Sequence, residues 1–320
     1  MKRRHVMALG AAWALPAIAQ PVFPQRPVRI VLPFPPGGPT DVVARILGER
    51  MARDLGQPVV IENRPGANGN IAADAVAKAE PDGHTLLYNT SSIAISRALY
   101  RSLPYDVLRD LAPVALAAAA PLVLVVHPGQ PPRDPAGFVA WAKASGGRIA
   151  YSSGGNGNVS HLLSFLILRH IGAEAVHVPY RGTAAALTDT AAGNVQFTCD
   201  TLITVLPLAQ EGRVRAIAVS SAERSPLLPE VPSMAEAGLM PPGFEVGAWQ
   251  GLLAPGRTPV VVARLNAALN VAVGDADIRA RLAAQGVRTL GGTPEAYSAY
   301  LREEVARWQR VVTESGATAE

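Results

Sequence analysis

The chain has 320 residues, of which 49% are apolar and 17% are charged, and its formal net charge is +4. This length exceeds one ordinary compact domain and suits two lobes with a sizeable core. Cleavage at a predicted point after Lys2, Arg3 and Arg4 would remove these three cations, so the net charge of the mature chain would be 4 − 3 = +1. A charge so close to neutral argues against nucleic acid or a membrane surface as a partner.

The N-terminus is typical of a secretory signal peptide. Its basic start is followed by 14 residues from Val6 to Ala19 that are mostly apolar and end in an A-x-A cleavage sequence. A retained membrane anchor is the alternative, but a bilayer span needs roughly 20 residues. Arg3-Arg4 also permits twin-arginine export, although its flanking residues fit that signal poorly. We expect cleavage before Gln20 and a periplasmic mature protein.

Short apolar strands then alternate with amphipathic helices. The βαβαβ order predicts a parallel sheet with helices on both faces. Leu122 to Val126 is continuous and rich in β-branched residues, which predicts a buried strand. The first unit is predicted to contain strands at 28–33, 59–61 and 85–88 and helices at 41–55 and 68–79.

The same order restarts near residue 133, where Asp134 and Pro135 predict a helix start. This unit is predicted to contain helices at 134–144, 159–171 and 183–192 and strands at 148–152, 176–178, 195–199 and 214–219. Beyond it, a strand at 249–254 and helices starting at Thr258 and Thr293 are expected to pack back on the first unit. The expected division is signal peptide 1–19, lobe one 20–124 with 247–320, and lobe two 125–246.

Each unit has a glycine-rich loop between its first strand and the next helix. Residues 34–40 read Phe-Pro-Pro-Gly-Gly-Pro-Thr, and residues 154–158 read Gly-Gly-Asn-Gly-Asn. Helix N-termini with free backbone N–H groups favour anions, and open α/β sheets bind ligands at the carboxyl ends of their strands. In either loop alone, the glycines could serve only to form a turn. Two such loops that are able to face each other predict a two-sided anion site.

Other ligand and catalytic patterns fit the sequence poorly. Residues 155–160 nearly match the dinucleotide fingerprint, but Ser160 replaces its third glycine. No Walker lysine loop, H-E-x-x-H, C-x-x-C or G-x-S-x-G pattern occurs. Ser153, His161 and Asp200 could meet in a cleft, but their order in the chain matches no familiar triad. We therefore predict no catalytic residue, no metal and no cofactor.

Several single residues keep two interpretations. His161 is either a hydrogen-bond partner that fixes its loop or a polar group of the site. Arg181 is either solvated and ion-paired or an electropositive cleft rim, and Asp200 accepts hydrogen bonds from loop N–H groups or from a ligand amine. Trp249 suits the core, the hinge or the cleft wall. Cys199, the only cysteine, is expected to be a buried, inert thiol.

Six motifs resemble the Bug proteins, which are the solute receptors of tripartite tricarboxylate transporters. The resemblance runs from about residue 24 to residue 316. The motifs are Arg26–Val31 with Pro33–Asp41, Glu62–Gly69, Pro81–Leu86, Tyr151–Gly154, Val178–Gly182 and Val231–Gly238. The resemblance implies a type II periplasmic-binding-protein fold, in which two α/β lobes joined by two crossing segments close on a ligand in the cleft between them.

The resemblance also implies that backbone N–H groups, hydroxyls and ordered water hold the ligand carboxylate. In this chain Ile93 stands where the family often has a polar residue, which favours a less polar carboxylate. The matching ligand-binding residues are Gly37, Gly38, Pro39, Thr40, Asp41 and Ser91 in lobe one and Ser153, Gly154, Asn156, Gly157, Asn158, His161, Arg181, Gly182, Thr183 and Asp200 in lobe two.

Two functions follow from this resemblance. The first is a receptor that delivers a carboxylic acid, dicarboxylate or amino acid to a membrane permease. The second is a sensor that presents its liganded form to a signalling partner. In both, we expect a monomer that binds by hinge closure, with the hinge near Val123–Val126 and Val246–Gly251.

Overall fold

A computed structural model describes residues 23–319, the side chains of residues 259 and 260 excepted. The predicted signal peptide and its cleavage site lie outside the described residues. Lobe one starts with three parallel strands and three helices, one more helix than the sequence predicts. These are β1 (Val28–Leu32), α1 (Pro39–Leu55), β2 (Val59–Asn63), α2 (Asn70–Ala77), β3 (Thr85–Thr90) and α3 (Ser92–Leu99).

Helix α1 illustrates how the apolar pattern places a helix on the sheet. Its buried face carries Val43, Leu47 and Met51 at helical spacing, and the helix ends where Gly56 adopts a left-handed φ of 70°. Strand β1 lies between β2 and β3, with Ile30 opposite Ile61 on one side and Leu86 on the other.

Strand β4 (Leu111–Val126) has 16 residues and leads from lobe one into lobe two. The second lobe then repeats the strand–helix order. Its elements are α4 (Pro135–Ser145), β5 (Ala150–Ser153), α5 (Val159–Ile171), β6 (Val176–Pro179), α6 (Thr183–Ala191), β7 (Phe197–Thr201), α7 (Leu202–Gln210) and β8 (Arg215–Val219). Helix α7, which contains Pro207, is not predicted from the sequence.

The C-terminal segment returns to the first sheet. Strand β9 lies between β3 and β4, and β10 pairs with β4, so the order is β2-β1-β3-β9-β4-β7-β5-β6 with β8 and β10 also paired to β4. The elements are β9 (Gly247–Pro255), α8 (Pro259–Gly274), α9 (Ala276–Ala283), β10 (Arg288–Gly291) and α10 (Pro294–Ser315).

Strand β4 changes its pairing partners at one point. Residues from Leu111 to Pro121 pair with β9, whereas Leu122 to Val126 pair with β7 and β8. Strand β9 begins opposite Pro121, so the two crossing segments lie side by side. The change falls just before the expected hinge segment Val123–Val126, which itself lies inside the lobe-two sheet. The lobe boundaries at 124/125 and 246/247 stay predictions.

Ser220 joins the two crossing segments. This fully buried residue follows β8, and its hydroxyl accepts a hydrogen bond from Leu122 N–H at 2.8 Å and donates one to the Val246 carbonyl. Its backbone N–H donates to Leu122 O, and its carbonyl accepts from Val246 N–H. All these polar groups are therefore paired where the sheet divides, as buried backbone requires.

The core is continuous on one face of the sheet and divided on the other. One cluster runs through both lobes, from Val31 and Leu87 to Phe138 and Phe197. On the opposite face, one cluster lies between the lobe-one sheet and the helices α1 and α8. A separate cluster lies beneath α6 and α7 in lobe two. Cys199 belongs to the continuous cluster and is fully buried, which confirms the predicted burial of this thiol.

A buried carboxylate attaches α10 to β9 within this core. Glu304 Oε2 accepts hydrogen bonds from the indole N–H groups of Trp249 and Trp308 at 2.7 and 2.9 Å. Arg307 contacts the other oxygen at 2.9 Å. Trp249 is 1% exposed, so it is a core residue and not part of the cleft wall.

Replacing Glu304 by alanine should therefore destabilise the protein strongly. The change leaves two buried indole N–H groups unpaired and removes the partner of Arg307, at a cost of about 3 kcal/mol. Urea unfolding measures this loss. The control is Glu303→Ala, because Glu303 is exposed on the same helix. Equal stability of the two variants would show that the carboxylate contributes little.

Candidate functional site

The ends of the parallel strands meet at the level where β4 changes partners. In lobe one, Thr90 at the end of β3 pairs with Gln250, which pairs with Ala118 of β4. In lobe two, Thr201 at the end of β7 pairs with Leu122. The loops that follow the strands of both lobes therefore open onto the same region beside the crossing segments, where open α/β sheets bind ligands.

Two helices that follow the glycine-containing loops begin in this region without a side-chain cap. Helices α1 and α6 start after Gly38 and Gly182, and neither of these residues supplies a side chain to accept from the first-turn N–H groups. By contrast, α5 is capped, because the side chain of Asn158 accepts a hydrogen bond from Ser160 N–H. Uncapped N–H groups with the positive end of the helix dipole are the ordinary protein site for an anion.

In lobe one, Asp41 holds the first glycine loop in place. Its carboxylate accepts from Gly37 N–H at 3.0 Å, from the Arg45 guanidinium at 2.9 Å, and from the Asn63 amide at 2.9 Å. Asn63 also donates to the Phe34 carbonyl at the start of the loop. Both oxygens of Asp41 are thus engaged within lobe one, so its role is to position the loop around Gly38.

Electrostatics support this role. Burial alone would raise the pKa of Asp41, but the hydrogen bonds from Arg45, Gly37 and Asn63 outweigh it and lower the pKa to about 2. The carboxylate is therefore ionised throughout the physiological range. Gly38 itself faces open space, since an added Cβ would meet only the Pro35 carbonyl, at 3.6 Å. A ligand group can approach the start of α1 at this point.

In lobe two, the second glycine loop satisfies most of its own N–H groups. Gly154 N–H donates to Ser160 Oγ at 3.0 Å, Gly155 N–H to Ser153 Oγ at 3.2 Å, and Gly157 N–H to His161 Nδ1 at 3.1 Å. These three N–H groups are therefore not free for an anion. Ser153 and His161, both predicted ligand-binding residues, accept hydrogen bonds within the loop, and their contact with a ligand stays a prediction.

Asn156 in the same loop points towards the C-terminus of the chain. Its side-chain amide donates to the Thr318 carbonyl, and Ala319 N–H donates to Leu99 O at 3.3 Å. An added Cβ on Gly157 would overlap Leu99 at 2.3 Å, so the loop packs directly against the end of α3. Asn156 and Gly157 thus contact the C-terminal segment and the end of α3.

The start of α6 is an uncapped helix end in lobe two. Gly182 adopts a φ of 112°, a conformation that favours glycine, and its N–H donates to Gly154 O at 3.2 Å. Gly154 lies so close to Thr183 that an added Cβ would sit 2.6 Å from the Thr183 methyl group. Arg181 is exposed and makes no ion pair within residues 23–319. Its cation adds to the positive end of α6.

Asp200 lies behind these loops at the end of β7. It is 1% exposed, and Oδ1 accepts from Thr201 N–H at 2.6 Å. Its other oxygen is buried and has no hydrogen-bond partner in the described part of the chain. Burial raises the pKa of Asp200 to about 6, against the hydrogen bond from Thr201. This carboxylate fixes the turn into α7.

The structure does not bring Ser153, His161 and Asp200 together as a triad. Ser153 Oγ lies 2.6 Å from Nε2 of His177, not of His161, and Asp200 contacts neither histidine. His177 was missed by the sequence analysis, since its strand context marked it only as a residue of β6. Among the described residues, no group of three His, Cys, Asp or Glu side chains could hold a metal.

The side chain of Ile93, which stands where the family often has a polar residue, is buried away from the cleft. Ile93 is 4% exposed and belongs to the continuous core. Ser91, which precedes α3, is 2% exposed and uses its backbone N–H to reach Trp249 O. The expected link between Ile93 and a less polar ligand therefore has no direct contact to support it.

Two lobes on two crossing segments, with uncapped helix N-termini at the strand ends, define a solute-binding receptor of the type II periplasmic-binding-protein class. A family model for the tripartite tricarboxylate transporter family receptor matches residues 43–317. The chain belongs to this family, whose members include the Bug proteins. Within residues 23–319, no helix has both the length and the apolarity to cross a membrane.

Curated relatives agree with this assignment. A Pseudomonas sp. (strain P51) protein, described as the UPF0065 protein in the tcbD-tcbE intergenic region, is 41% identical over 98% of this chain and 94% of its own length. Protein BugT of Bordetella pertussis is 38% identical over 98% of each chain.

Solved structures confirm the predicted fold class. Rpa4515 of R. palustris with adipate is 36% identical, with a TM-score of 0.85 over 92% of this chain and 99% of its own. MatC (Rpa3494) from Rhodopseudomonas palustris with bound malate is 39% identical, with a TM-score of 0.81 over 91% of this chain and 100% of its own.

The position of Asp41 predicts a pH-dependent effect of Asp41→Asn. The folded pKa lies below the ordinary value of 3.8, so the stabilisation is present above that pH and is lost as the pH falls towards 2. Its size is about 2 kcal/mol from the shift. Unfolding of wild type and variant should therefore differ at pH 6 and converge near pH 2.

The matched control is Glu49→Gln. Glu49 also pairs with an arginine one turn away on α1, but both side chains are about two-thirds exposed, at 67% and 70%. Such a surface pair contributes at most about 0.5 kcal/mol. A loss for Glu49→Gln as large as that for Asp41→Asn would mean that the loop network adds nothing.

Proposed function

We propose that this chain captures a small dicarboxylate between its lobes, with one carboxylate group at the start of α1 and the other at the start of α6. The observation that carries the proposal is the pair of uncapped helix N-termini after Gly38 and Gly182, the second flanked by Arg181. Two positive ends suit a ligand with a negative group at each end. Adipate and malate, bound by two similar proteins, have this form.

The predicted site residues divide into two roles under this proposal. Those at the two helix starts, together with Ser91 before α3, would contact the ligand, and those with engaged side chains would hold the loops. The contacts would come from Gly37, Gly38, Pro39, Thr40, Ser91, Arg181, Gly182 and Thr183, and the loops would be held by Asp41, Ser153, Gly154, Asn156, Gly157, Asn158, His161 and Asp200.

We also propose that the protein binds its ligand without chemical turnover. Ser153 is fully buried, and its imidazole partner His177 stacks on His161 instead of contacting a carboxylate. Asp200 uses Oδ1 to accept from Thr201 N–H and contacts neither Ser153 nor His177. Among residues 23–319, a reacting carboxylate would therefore have no nucleophile activated by a carboxylate–histidine pair beside it. A bound dicarboxylate recovered chemically unchanged after long incubation supports this role, and a product would refute it.

Export and delivery complete the proposed role. The mature chain would begin at Gln20, remain monomeric and work in the periplasm with a permease of the tripartite tricarboxylate type. N-terminal sequencing of protein from the cell envelope tests the cleavage. A sensor function is the alternative, and genes for a two-component permease beside this gene would favour transport.

Calorimetry with succinate, malate, glutamate and adipate tests the ligand class. We expect a dicarboxylate to bind and the matching monocarboxylates butyrate and hexanoate to bind at least about tenfold more weakly, equal to about 1.4 kcal/mol. Equal affinity for butyrate and succinate would refute the two-ended site. Mass spectrometry of molecules that copurify with the protein identifies the natural ligand.

Replacing Gly38 by valine should weaken binding without unfolding the protein. Its φ of −74° suits any residue, and the space around it is open, so the side chain would occupy the approach to α1. Affinity should fall about tenfold or more, while the melting temperature without ligand stays the same. Gly274→Val, which also faces open space at the end of α8, is the control. Unchanged affinity would show that the ligand does not bind at the start of α1.

Ligand binding should close the lobes, because only the closed form lets both helix starts contact one ligand. A ligand shifts the balance between open and closed forms by its differential affinity for them. Small-angle scattering should therefore show a smaller radius of gyration at saturating ligand. Rotation should occur at Pro121–Leu122 and Val246–Gly247, where pairing changes. Identical scattering with and without a bound ligand would contradict hinge closure.

A further inference from the structure

Two histidines stack face to face beneath the second glycine loop. The rings of His161 on α5 and His177 on β6 have centroids 3.8 Å apart and planes within 1° of parallel. His161 Nδ1 accepts from Gly157 N–H at 3.1 Å, and His177 Nε2 lies 2.6 Å from Ser153 Oγ. Each ring thus contacts a different part of the same loop.

The hydrogen bonds fix the chemistry of the pair. Because Nδ1 of His161 accepts from a backbone N–H, that nitrogen carries no proton, and the ring is neutral with its proton on Nε2. Two charged rings at the observed separation would repel each other strongly. Burial, and the neighbouring His177, lower the pKa of His161 to about 3, and burial lowers the pKa of His177 to about 4.

The surrounding groups keep the pair neutral. Tyr151 on β5 stacks on both rings, with centroid distances of 6.1 and 5.0 Å. Cys199 on β7 lies beside Tyr151, and burial raises the pKa of both groups, that of Cys199 to about 12. Within the described residues, no carboxylate pairs with either imidazole. No counter-charge is therefore in place to stabilise an imidazolium.

Ser153 transmits the effect of His177 to the loop. Its hydroxyl accepts from Gly155 N–H at 3.2 Å, reaches Gly155 O at 3.1 Å, and contacts His177. Gly182 N–H at the start of α6 donates to Gly154 O. Movement of residues 153–157 would therefore shift the helix start to which the proposed function assigns one ligand carboxylate.

We propose that His161 and His177 form an uncharged two-ring support that holds the lobe-two loop in its ligand-binding shape, which makes His177 a positioning residue for carboxylate capture. The inference rests on the proposed site at the start of α6. His177 does not contact the ligand and acts through Ser153. Protonation of His161 would remove the acceptor for Gly157 N–H and would loosen the loop.

The pair also gives the stability of lobe two a definite pH dependence. The folded pKa values lie below the ordinary value of 6.5, so the unfolded chain binds more protons between that pH and about 4. Stability is therefore highest above pH 6.5 and decreases as the pH falls through this window. Histidine signals followed by NMR should show both rings neutral at pH 5. Titration of either ring near pH 6.5 would overturn the proposal.

Variants of His177 separate ring packing from hydrogen bonding. His177→Phe keeps a ring against His161 and loses the contact with Ser153, whereas His177→Gln keeps a polar group for Ser153. We expect His177→Phe to weaken malate binding about tenfold and to speed amide exchange at Gly155 about tenfold. His177→Gln should recover most of both losses. His170→Gln, at an exposed histidine of α5, is the control.

A double variant tests whether the effect passes through Ser153. Ser153→Ala combined with His177→Phe should be no worse than the stronger single variant, since both changes remove one shared contact. Additive losses, or unchanged exchange at Gly155 in His177→Phe, would overturn the proposal. Failure of the wild type to bind malate or any other carboxylate would refute the proposed function, while amide exchange and histidine titration would still decide whether the rings hold the loop.

Discussion

The structure depends on the requirement that buried backbone groups stay hydrogen-bonded while one strand passes between two lobes. Strand β4 meets it by exchanging β9 for β7 and β8 at Pro121–Leu122, where proline offers no N–H to pair. Ser220 supplies the hydrogen bonds that the division of the sheet would otherwise leave open. Each lobe can then present its strand ends, and the helices that follow them, to the same cleft.

The two lobes reach a similar loop geometry by different means. Lobe one uses charge, with Asp41 ionised between Arg45, Asn63 and a backbone N–H. Lobe two uses neutral groups, with imidazole rings and hydroxyls as acceptors. In both, the groups that shape a loop are engaged with each other, and the N–H groups at an adjacent helix start remain open. In each lobe, the groups that hold the loop are therefore different from the N–H groups that would hold the ligand.

The sequence predicts much of the fold, because apolar periodicity and glycine ends locate most strands and helices. The prediction fails for α3 and α7, whose short apolar segments carry little period, and it omits α9 and β10. It also fails for the first half of β4, where alanines and prolines hide a long strand. The glycine loops are visible in sequence, but the destination of their N–H groups is not. The contact of His177 with Ser153 is equally hidden, because it arises only when β6 is placed beside β5.

The core that is continuous on one face of the sheet has a consequence for unfolding. Side chains of both lobes belong to a single cluster there, from Val31 to Phe197. Exposing the lobe-two half would also expose apolar surface of lobe one, which costs about 25 cal/mol per Å². Neither lobe can therefore melt alone at low cost, and we expect the two lobes to unfold together in calorimetry.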